Sequence, residues 1–129
     1  MIELRQVRKL YAGERPALDR LDLAVGQGEF VFLTGPSGAG KSTLLRLLLR
    51  AELPTSGQVF VAGRDITALP EKEVPALRRG IGFVFQDFKL LSRRTAFENV
   101  ALVARLSGLS EAEQRLRTRR VKDELRDNL

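Results

Sequence analysis

The sequence predicts a mixed α/β fold in which an antiparallel sheet precedes an incomplete parallel core sheet. Two runs near the start, residues 2–7 and 18–25, alternate apolar and polar side chains as half-buried strands do, with a break near Arg20. Residues 30–34, FVFLT, are apolar at nearly every position, which favours a strand buried on both faces of a parallel sheet. A glycine-rich stretch and a leucine-rich helix follow that run directly, and this order is typical of α/β proteins.

Composition bounds the chemistry of this chain of 129 residues, which is the length of one ordinary domain. It contains no cysteine and no histidine, so disulfides, thiolate metal sites and the commonest general base are excluded. Net charge is +6 and only 6% of the residues are aromatic, without the basic and aromatic interleaving that stacks nucleic-acid bases, so no nucleic-acid partner is expected. The apolar stretches are too short to cross a bilayer, and we expect a cytoplasmic protein that can lie at the membrane.

The rest of the chain reads as alternating short elements. Residues 42–51 form a helix that is apolar almost all round and therefore mostly buried. Residues 58–62 and 81–85 read as strands, residues 63–65 as a turn, residues 72–79 as a short helix and residues 86–94 as a loop. Two helices then begin at capping boxes, Thr95 with Glu98 and Ser110 with Glu113.

The stretch GPSGAGKST, from Gly35 to Thr43, fits the phosphate-binding loop pattern in full. Glycines let successive backbone N–H groups point at a polyphosphate, and the following helix N-terminus favours an anion. Lys41 would contact the β- and γ-phosphates, and the Ser42 hydroxyl is the expected Mg²⁺ ligand. The predicted phosphate-binding residues are Gly35, Pro36, Ser37, Gly38, Ala39, Gly40, Lys41, Ser42 and Thr43.

Four features together make the chain similar to the N-terminal part of an ATP-binding cassette (ABC) ATPase. Tyr11 lies two dozen residues ahead of the loop, GPSGAGKST resembles the Walker A motif, residues 57–66 resemble the β-hairpin, and IGFVFQD resembles the Q-loop. The resemblance implies ATP and Mg²⁺ as cofactors, with Tyr11 stacking on adenine. It also implies that Lys41 and Gln86 are catalytic and that Ser42 and Gln86 bind the metal.

Within that family, residues 73–102 most resemble the FtsE-type cell-division ATPases, which act with the membrane protein FtsX. Relatives that serve export share much of this pattern, so an FtsX-like partner and a transporter permease both remain open. The resemblance implies that the segment from Phe88 to Arg94 contacts the membrane partner. It further implies a homodimer in the full-length family and a peripheral position at the inner face of the cell membrane.

Several motifs that the family needs for hydrolysis are missing. The sequence has no histidine to act as the switch, and Asp123-Glu124 follows a charged run rather than the apolar strand of a Walker B motif. Residues 106–109, LSGL, lack the second glycine of a signature motif, so we interpret them as a helix end with Gly108 as its cap. We therefore expect a nucleotide-binding core with the antiparallel sheet and the Walker A motif at residues 1–86. Residues 87–129 are expected to hold the Q-loop continuation and the start of a truncated helical subdomain. We expect the chain to bind ATP and not to hydrolyse it alone.

Two other functions fit the loop. A small-molecule kinase of the P-loop class would bind a phosphoryl acceptor, but the early antiparallel strands and the lack of an arginine-rich lid argue against it. A non-catalytic interaction module on a P-loop scaffold would be insensitive to loss of Lys41. The strand at residues 30–34 requires parallel neighbouring strands and helices on both faces of the sheet. We therefore expect the chain to expose apolar surface and to be marginally stable or self-associating.

Overall fold

A computed structural model describes residues 1–13, 15–87 and 89–127 of the chain. It divides into two compact units, Met1–Ile81 and Gly82–Leu129, whereas the sequence places the boundary between its two parts after Gln86. Each unit is described by itself.

The first unit contains a four-stranded antiparallel sheet. Its strands are β1 (Ile2–Lys9), β2 (Leu18–Val25), β3 (Ser56–Val61) and β4 (Arg64–Asp65), in the order β2-β1-β3-β4. Leu4 of the central β1 lies opposite a residue of β2 on one side and of β3 on the other, which aligns their apolar side chains. The predicted break near Arg20 is confirmed, because Arg20 has a φ of 48° where the β1–β2 register shifts.

One helix covers this sheet. Leu44 and Leu47 of the helix α1 (Lys41–Leu48) form a buried cluster with residues of the sheet and of the segment just after β4. These are Leu4, Val7, Val59 and Ile66. The expectation of a mostly buried helix was wrong, since the buried residues of α1 are Thr43, Leu44 and Leu47, and Leu45 on another face is 42% exposed. Only one face of α1 has a sheet to pack on, so the apolar pattern overestimated its burial.

Two runs predicted as strands, residues 30–34 in a parallel core sheet and residues 81–85, are not strands in the described structure. Residues 30–34 and 81–85 have no ladder partner among the residues described. A strand is defined by hydrogen bonds to a neighbour, and side chains alone cannot supply them. Phe30 and Phe32 are 82% and 80% exposed and contact each other edge to face, with ring centroids 4.9 Å apart. The mixed α/β class itself is confirmed, with the antiparallel sheet as its only sheet in the described ranges.

Short connections complete the first unit. Ala62 and Gly63, with φ of 51° and 78°, form the two-residue turn between β3 and β4, so the predicted turn at 63–65 lies one residue too late. A 3₁₀ turn at Glu71–Glu73 leads into α2 (Val74–Arg79), where Pro75 lies in the first turn and needs no helical hydrogen bond.

The second unit contains α3 (Ala96–Leu106) and α4 (Glu111–Asp127). Both capping boxes are confirmed: Thr95 and Glu98 exchange side-chain to backbone hydrogen bonds, and Ser110 and Glu113 do the same. Gly108, with a φ of 77°, lies just beyond the end of α3, as the interpretation of residues 106–109 requires. Asp123-Glu124 lies within α4 rather than at a strand end. In the described part of the chain, no helix has the length and apolar character needed to cross a membrane.

Candidate functional site

The glycine-rich loop joins α1 through Gly40, which caps the helix with a φ of 87°. This left-handed conformation disfavours any residue with a side chain. A Cβ atom at Gly40 would also lie 2.3 Å from the carbonyl oxygen of Ala17, far inside van der Waals contact. The close approach of the segment before β2 therefore requires glycine at the loop–helix junction.

The first turn of α1 presents backbone donors to an anion. The N–H groups of Lys41, Ser42 and Thr43 have no carbonyl one turn earlier to bond. No side chain caps this end, and no acidic residue occupies the first turn of α1, all of which the structure describes. The partial positive charge of the helix end is therefore left uncompensated, which favours a negatively charged ligand.

The ammonium group of Lys41 lies across the loop. Its Nζ donates to the carbonyl oxygens of Gly35 at 2.6 Å and of Pro36 at 2.7 Å. An ammonium group has three donors, so one remains for a phosphate oxygen. The loop also bonds to itself, from the N–H of Ala39 to Pro36 at 3.3 Å, while Ser37 and Gly38 between them are exposed. The loop thus holds a positive charge beside the donors of the helix end.

The two hydroxyls of the motif differ in their surroundings. Ser42 is exposed, and its hydroxyl has no hydrogen-bond partner among the residues described. Thr43 is 7% exposed, and its Oγ1 lies 3.3 Å from the hydroxyl oxygen of Tyr11. Ser42 is therefore available to an external ligand, whereas Thr43 joins α1 to the loop after β1.

Tyr11 lies at the start of that loop, and its hydroxyl donates a 2.6 Å hydrogen bond to Oε2 of Glu52, which follows α1. The Nζ atom of Lys9 lies over the ring, 5.1 Å from its centroid. The hydrogen bond from Tyr11, followed by those from Lys9 and Arg46, holds the pKa of Glu52 below its ordinary value, although partial burial raises it. The structure thus brings Tyr11 to the first turn of α1.

Sequence reasoning missed Glu52 and Lys9. Glu52 is 41 residues from Tyr11, and neither residue belongs to a pattern with a fixed spacing. A carboxylate after a helix is an ordinary surface residue in the sequence. Only the tertiary packing of β1 against the end of α1 brings the two together.

Gln86 belongs to the second unit, where it lies exposed in a turn. Of the segment that follows, Phe88 lies outside the described residues. Asn99 of α3 holds the remainder in place, accepting from the N–H of Leu91 at 2.8 Å and donating to the carbonyl of Thr95 at 3.0 Å. Leu90 is left 68% exposed beside cationic neighbours.

The residues of the loop fit the chemistry of Mg²⁺ with a nucleotide. Magnesium typically takes one or two protein oxygens and completes its coordination with phosphates and water. No group of three carboxylates lies together within residues 1–13, 15–87 and 89–127, so these residues provide no carboxylate cage for the ion, and the Ser42 hydroxyl would be its ligand from the loop. Such a site would form only with the phosphates of a bound nucleotide.

Comparison with known proteins identifies relatives along most of the chain. It is 47% identical over 108 residues to the cell division ATP-binding protein FtsE of Bacillus subtilis, covering 84% of this chain and 47% of the relative. It is 51% identical over 109 residues to FtsE of Mycobacterium tuberculosis, again covering 84% and 47%. The methionine import ATP-binding protein MetN of Photobacterium profundum is 50% identical over 113 residues, covering 85% of this chain and 33% of MetN. The chain thus spans about half the length of the FtsE relatives.

Solved structures of ATP-binding cassettes are also similar to this chain. The dimeric post-hydrolysis state of the ATP-binding cassette MJ0796 bound to ADP and Pi superposes with a TM-score of 0.81 at 38% identity, over 92% of this chain and 54% of that one. A second dimeric structure of MJ0796, a bacterial ABC transporter cassette, gives a TM-score of 0.82 at 40% identity, over 91% and 53%. The ABC transporter family profile matches residues 18–128. The chain therefore belongs to the ABC transporter family.

Proposed function

We propose that the chain binds Mg-ATP through the loop from Gly35 to Thr43, as the N-terminal part of an FtsE-like nucleotide-binding subunit. The observation that carries the proposal is the loop geometry. The Lys41 ammonium is held at 2.6 Å and 2.7 Å from two loop carbonyls, beside a helix end with free N–H groups and no acidic residue in the described first turn. Triphosphate is the anion that suits this combination of donors.

Tyr11 and Ser42 complete the proposed site. Tyr11 is 44% exposed beside the first turn of α1, where its ring could stack on a base. The Ser42 hydroxyl would bind Mg²⁺, whose charge offsets that of the phosphates when it is bound. We further propose that Gln86 serves as a second metal ligand and a catalytic residue, as the family resemblance implies.

We propose that this chain does not hydrolyse ATP by itself. Hydrolysis needs a carboxylate that polarises the attacking water. The sequence has no histidine, and in the part of the chain that the structure describes Asp123-Glu124 lies within α4 and not at a strand end. Lys41 and Gln86 would act in hydrolysis only together with the remainder of a complete dimeric ATPase. Steady phosphate release by the purified chain that disappears in Lys41→Ala would refute this part of the proposal.

Calorimetric titration with Mg-ATP tests the proposed site. Lys41→Ala should weaken binding by about 1.5–3 kcal/mol, because a charge-assisted contact to the phosphates is lost. Lys72→Ala is the matched control, since Lys72 is an exposed lysine in the 3₁₀ turn. Equal affinity of both variants would mean that nucleotide binds this basic chain through its overall charge.

We also propose that the segment from Phe88 to Arg94 contacts an integral membrane partner, either an FtsX-like protein or a transporter permease. Support comes from the resemblance of residues 73–102 to FtsE-type ATPases and from Leu90, which is 68% exposed in a loop held by Asn99. Co-expression with an FtsX-type protein should bring the chain to the membrane fraction, and Leu90→Glu should abolish this. Leu106→Glu is the control at a site 66% exposed on α3; equal loss in both variants would refute the contact.

A further inference from the structure

A polar cluster surrounds the hydroxyl of Tyr11. This oxygen lies 2.6 Å from Oε2 of Glu52 and 3.3 Å from Oγ1 of Thr43. A phenol has one proton to donate, and the carboxylate can only accept. Tyr11 therefore donates to Glu52 and accepts from Thr43, so its hydroxyl is held by one residue in the first turn of α1 and by another in the segment after α1.

Glu52 is itself held in place. The Nζ atom of Lys9 lies 3.4 Å from Oε2, and a guanidinium nitrogen of Arg46 lies 3.3 Å from Oε1. Lys9 also donates to the carbonyl of Leu53 at 2.8 Å. The side chains of Lys9 and Glu52 are only 16% and 22% exposed, so this ion pair is partly shielded from solvent. Its geometry is fixed from both β1 and the segment after α1.

The same lysine restricts how the ring can be used. Lys9 lies over the Tyr11 ring at 5.1 Å from the centroid, a distance at which a cation is attracted to an aromatic face. The residue nevertheless keeps 44% of its surface exposed. A base can stack only on the part of the ring that Lys9 leaves free, so the cluster selects one stacking geometry.

We propose that Glu52 is a positioning residue for the nucleotide base. It fixes the Tyr11 ring beside the first turn of α1, so that the ring and the phosphate loop are spaced correctly before ATP arrives. This inference rests on the proposed nucleotide function. Fixing a side chain in advance removes an ordering cost from binding, and its loss should weaken ATP about two- to tenfold.

The experiment compares ATP with inorganic tripolyphosphate, which has no base, on the full chain. Glu52→Ala should lower the affinity for ATP about two- to tenfold and leave the affinity for tripolyphosphate unchanged. Glu52→Gln, which keeps an acceptor oxygen for the phenol, should restore most of the ATP affinity. Glu71→Ala is the control at an exposed glutamate of the same unit and should change neither ligand.

Tyrosine emission gives a readout that does not depend on ligand. The chain has one tyrosine and no tryptophan, so its emission reports Tyr11 alone. A carboxylate that accepts the phenol proton quenches this emission, and Glu52→Ala should therefore raise it. In a double-mutant cycle, Tyr11→Phe with Glu52→Ala should weaken ATP no more than either change alone, because both remove the same hydrogen bond.

The outcomes separate the inference from the function it rests on. Failure of the unaltered chain to bind either ligand would refute the proposed function. Normal ATP binding by Glu52→Ala, or unchanged emission, would overturn the role of Glu52 while leaving the nucleotide site intact. Equal weakening of ATP and tripolyphosphate would also overturn it, because Glu52 would then support the phosphate loop rather than Tyr11.

Discussion

The position of a Cβ atom on Gly40 lies 2.3 Å from the carbonyl oxygen of Ala17, so the loop–helix junction touches the backbone that leads into β2. Gly40→Ala should therefore destabilise the first unit by about 2–5 kcal/mol, through left-handed strain and this clash together. Gly38→Ala is the matched control. Gly38 has a similar φ of 80°, but a Cβ there meets nothing within 4 Å.

Chemical denaturation of the two variants measures the difference between them. Gly38→Ala should lose only the strain energy, about 1–2 kcal/mol. Equal losses would show that the segment at Ala17 moves away easily and that the contact does not constrain Gly40.

Removal of the Tyr11 ring should lower the affinity for ATP and for GTP to the same extent. Stacking uses the face of a base and not its hydrogen-bonding edge, so Tyr11→Ala should cost about 1–3 kcal/mol for either nucleotide. Tyr11→Phe keeps the ring and should lose much less binding free energy than Tyr11→Ala. Titrations in which only ATP weakens would mean that Tyr11 reads a feature of adenine, contrary to a simple stacking role.

The capping box at the start of α3 should be sensitive to both mutation and acid. Thr95→Ala should destabilise α3 by about 1 kcal/mol, because the N–H of Glu98 loses its acceptor. Ser92→Ala, in the exposed loop before it, is the control. Circular dichroism during denaturation gives both values, and identical curves would show that the cap contributes nothing.

Hydrogen bonds from the Thr95 N–H, the Arg94 side chain and the Thr95 hydroxyl hold the pKa of Glu98 below its ordinary value of 4.5. A depressed carboxyl pKa stabilises the folded state fully above the ordinary value, and this stabilisation is lost as pH falls through the folded value. Helicity in the parent should therefore drop as the pH is lowered below 4.5. Glu98→Gln should flatten that dependence, and an unchanged pH profile would contradict the assignment.

The exposed phenylalanines at residues 30–34 should drive self-association. Phe32 is 80% exposed, and its neighbour Phe30 is 82% exposed, so they form an apolar patch that water solvates poorly. Sedimentation of the chain should show a mass that rises with concentration, and Phe32→Asp should reduce it. Ala112→Asp adds the same charge at an exposed site on α4. A stable monomer at all concentrations would refute the prediction.

Features that depend on neighbouring residues could be predicted from the sequence, whereas contacts between residues far apart in the chain could not. The capping boxes at Thr95 and Ser110 and the irregularity at Arg20 depend on neighbouring residues, and all were predicted correctly. The apolar run at residues 30–34 was assigned as a strand from its side chains alone. Its backbone has no strand partner among the described residues, and a sequence pattern carries no information on whether such a partner is present.

The candidate site divides in the same way. The phosphate loop was predicted because its chemistry requires glycines, lysine and a hydroxyl at fixed spacing. The bond between Tyr11 and Glu52 joins residues 41 positions apart and depends on how β1 packs near the end of α1. No local pattern marks either partner, and only the structure reveals the pair.

Amide NMR of the isotopically labelled full chain during titration with Mg-ATP tests the central claim most directly. If the loop binds the triphosphate, the largest shifts will occur at the N–H groups of Gly38, Gly40, Lys41 and Ser42. Lys41→Ala will then need at least about tenfold more Mg-ATP to reach the same shifts. The rival site is the run from Arg115 to Lys122 on α4, which holds five cations and no carboxylate. Shifts confined to that run, with the loop unchanged, would contradict the account.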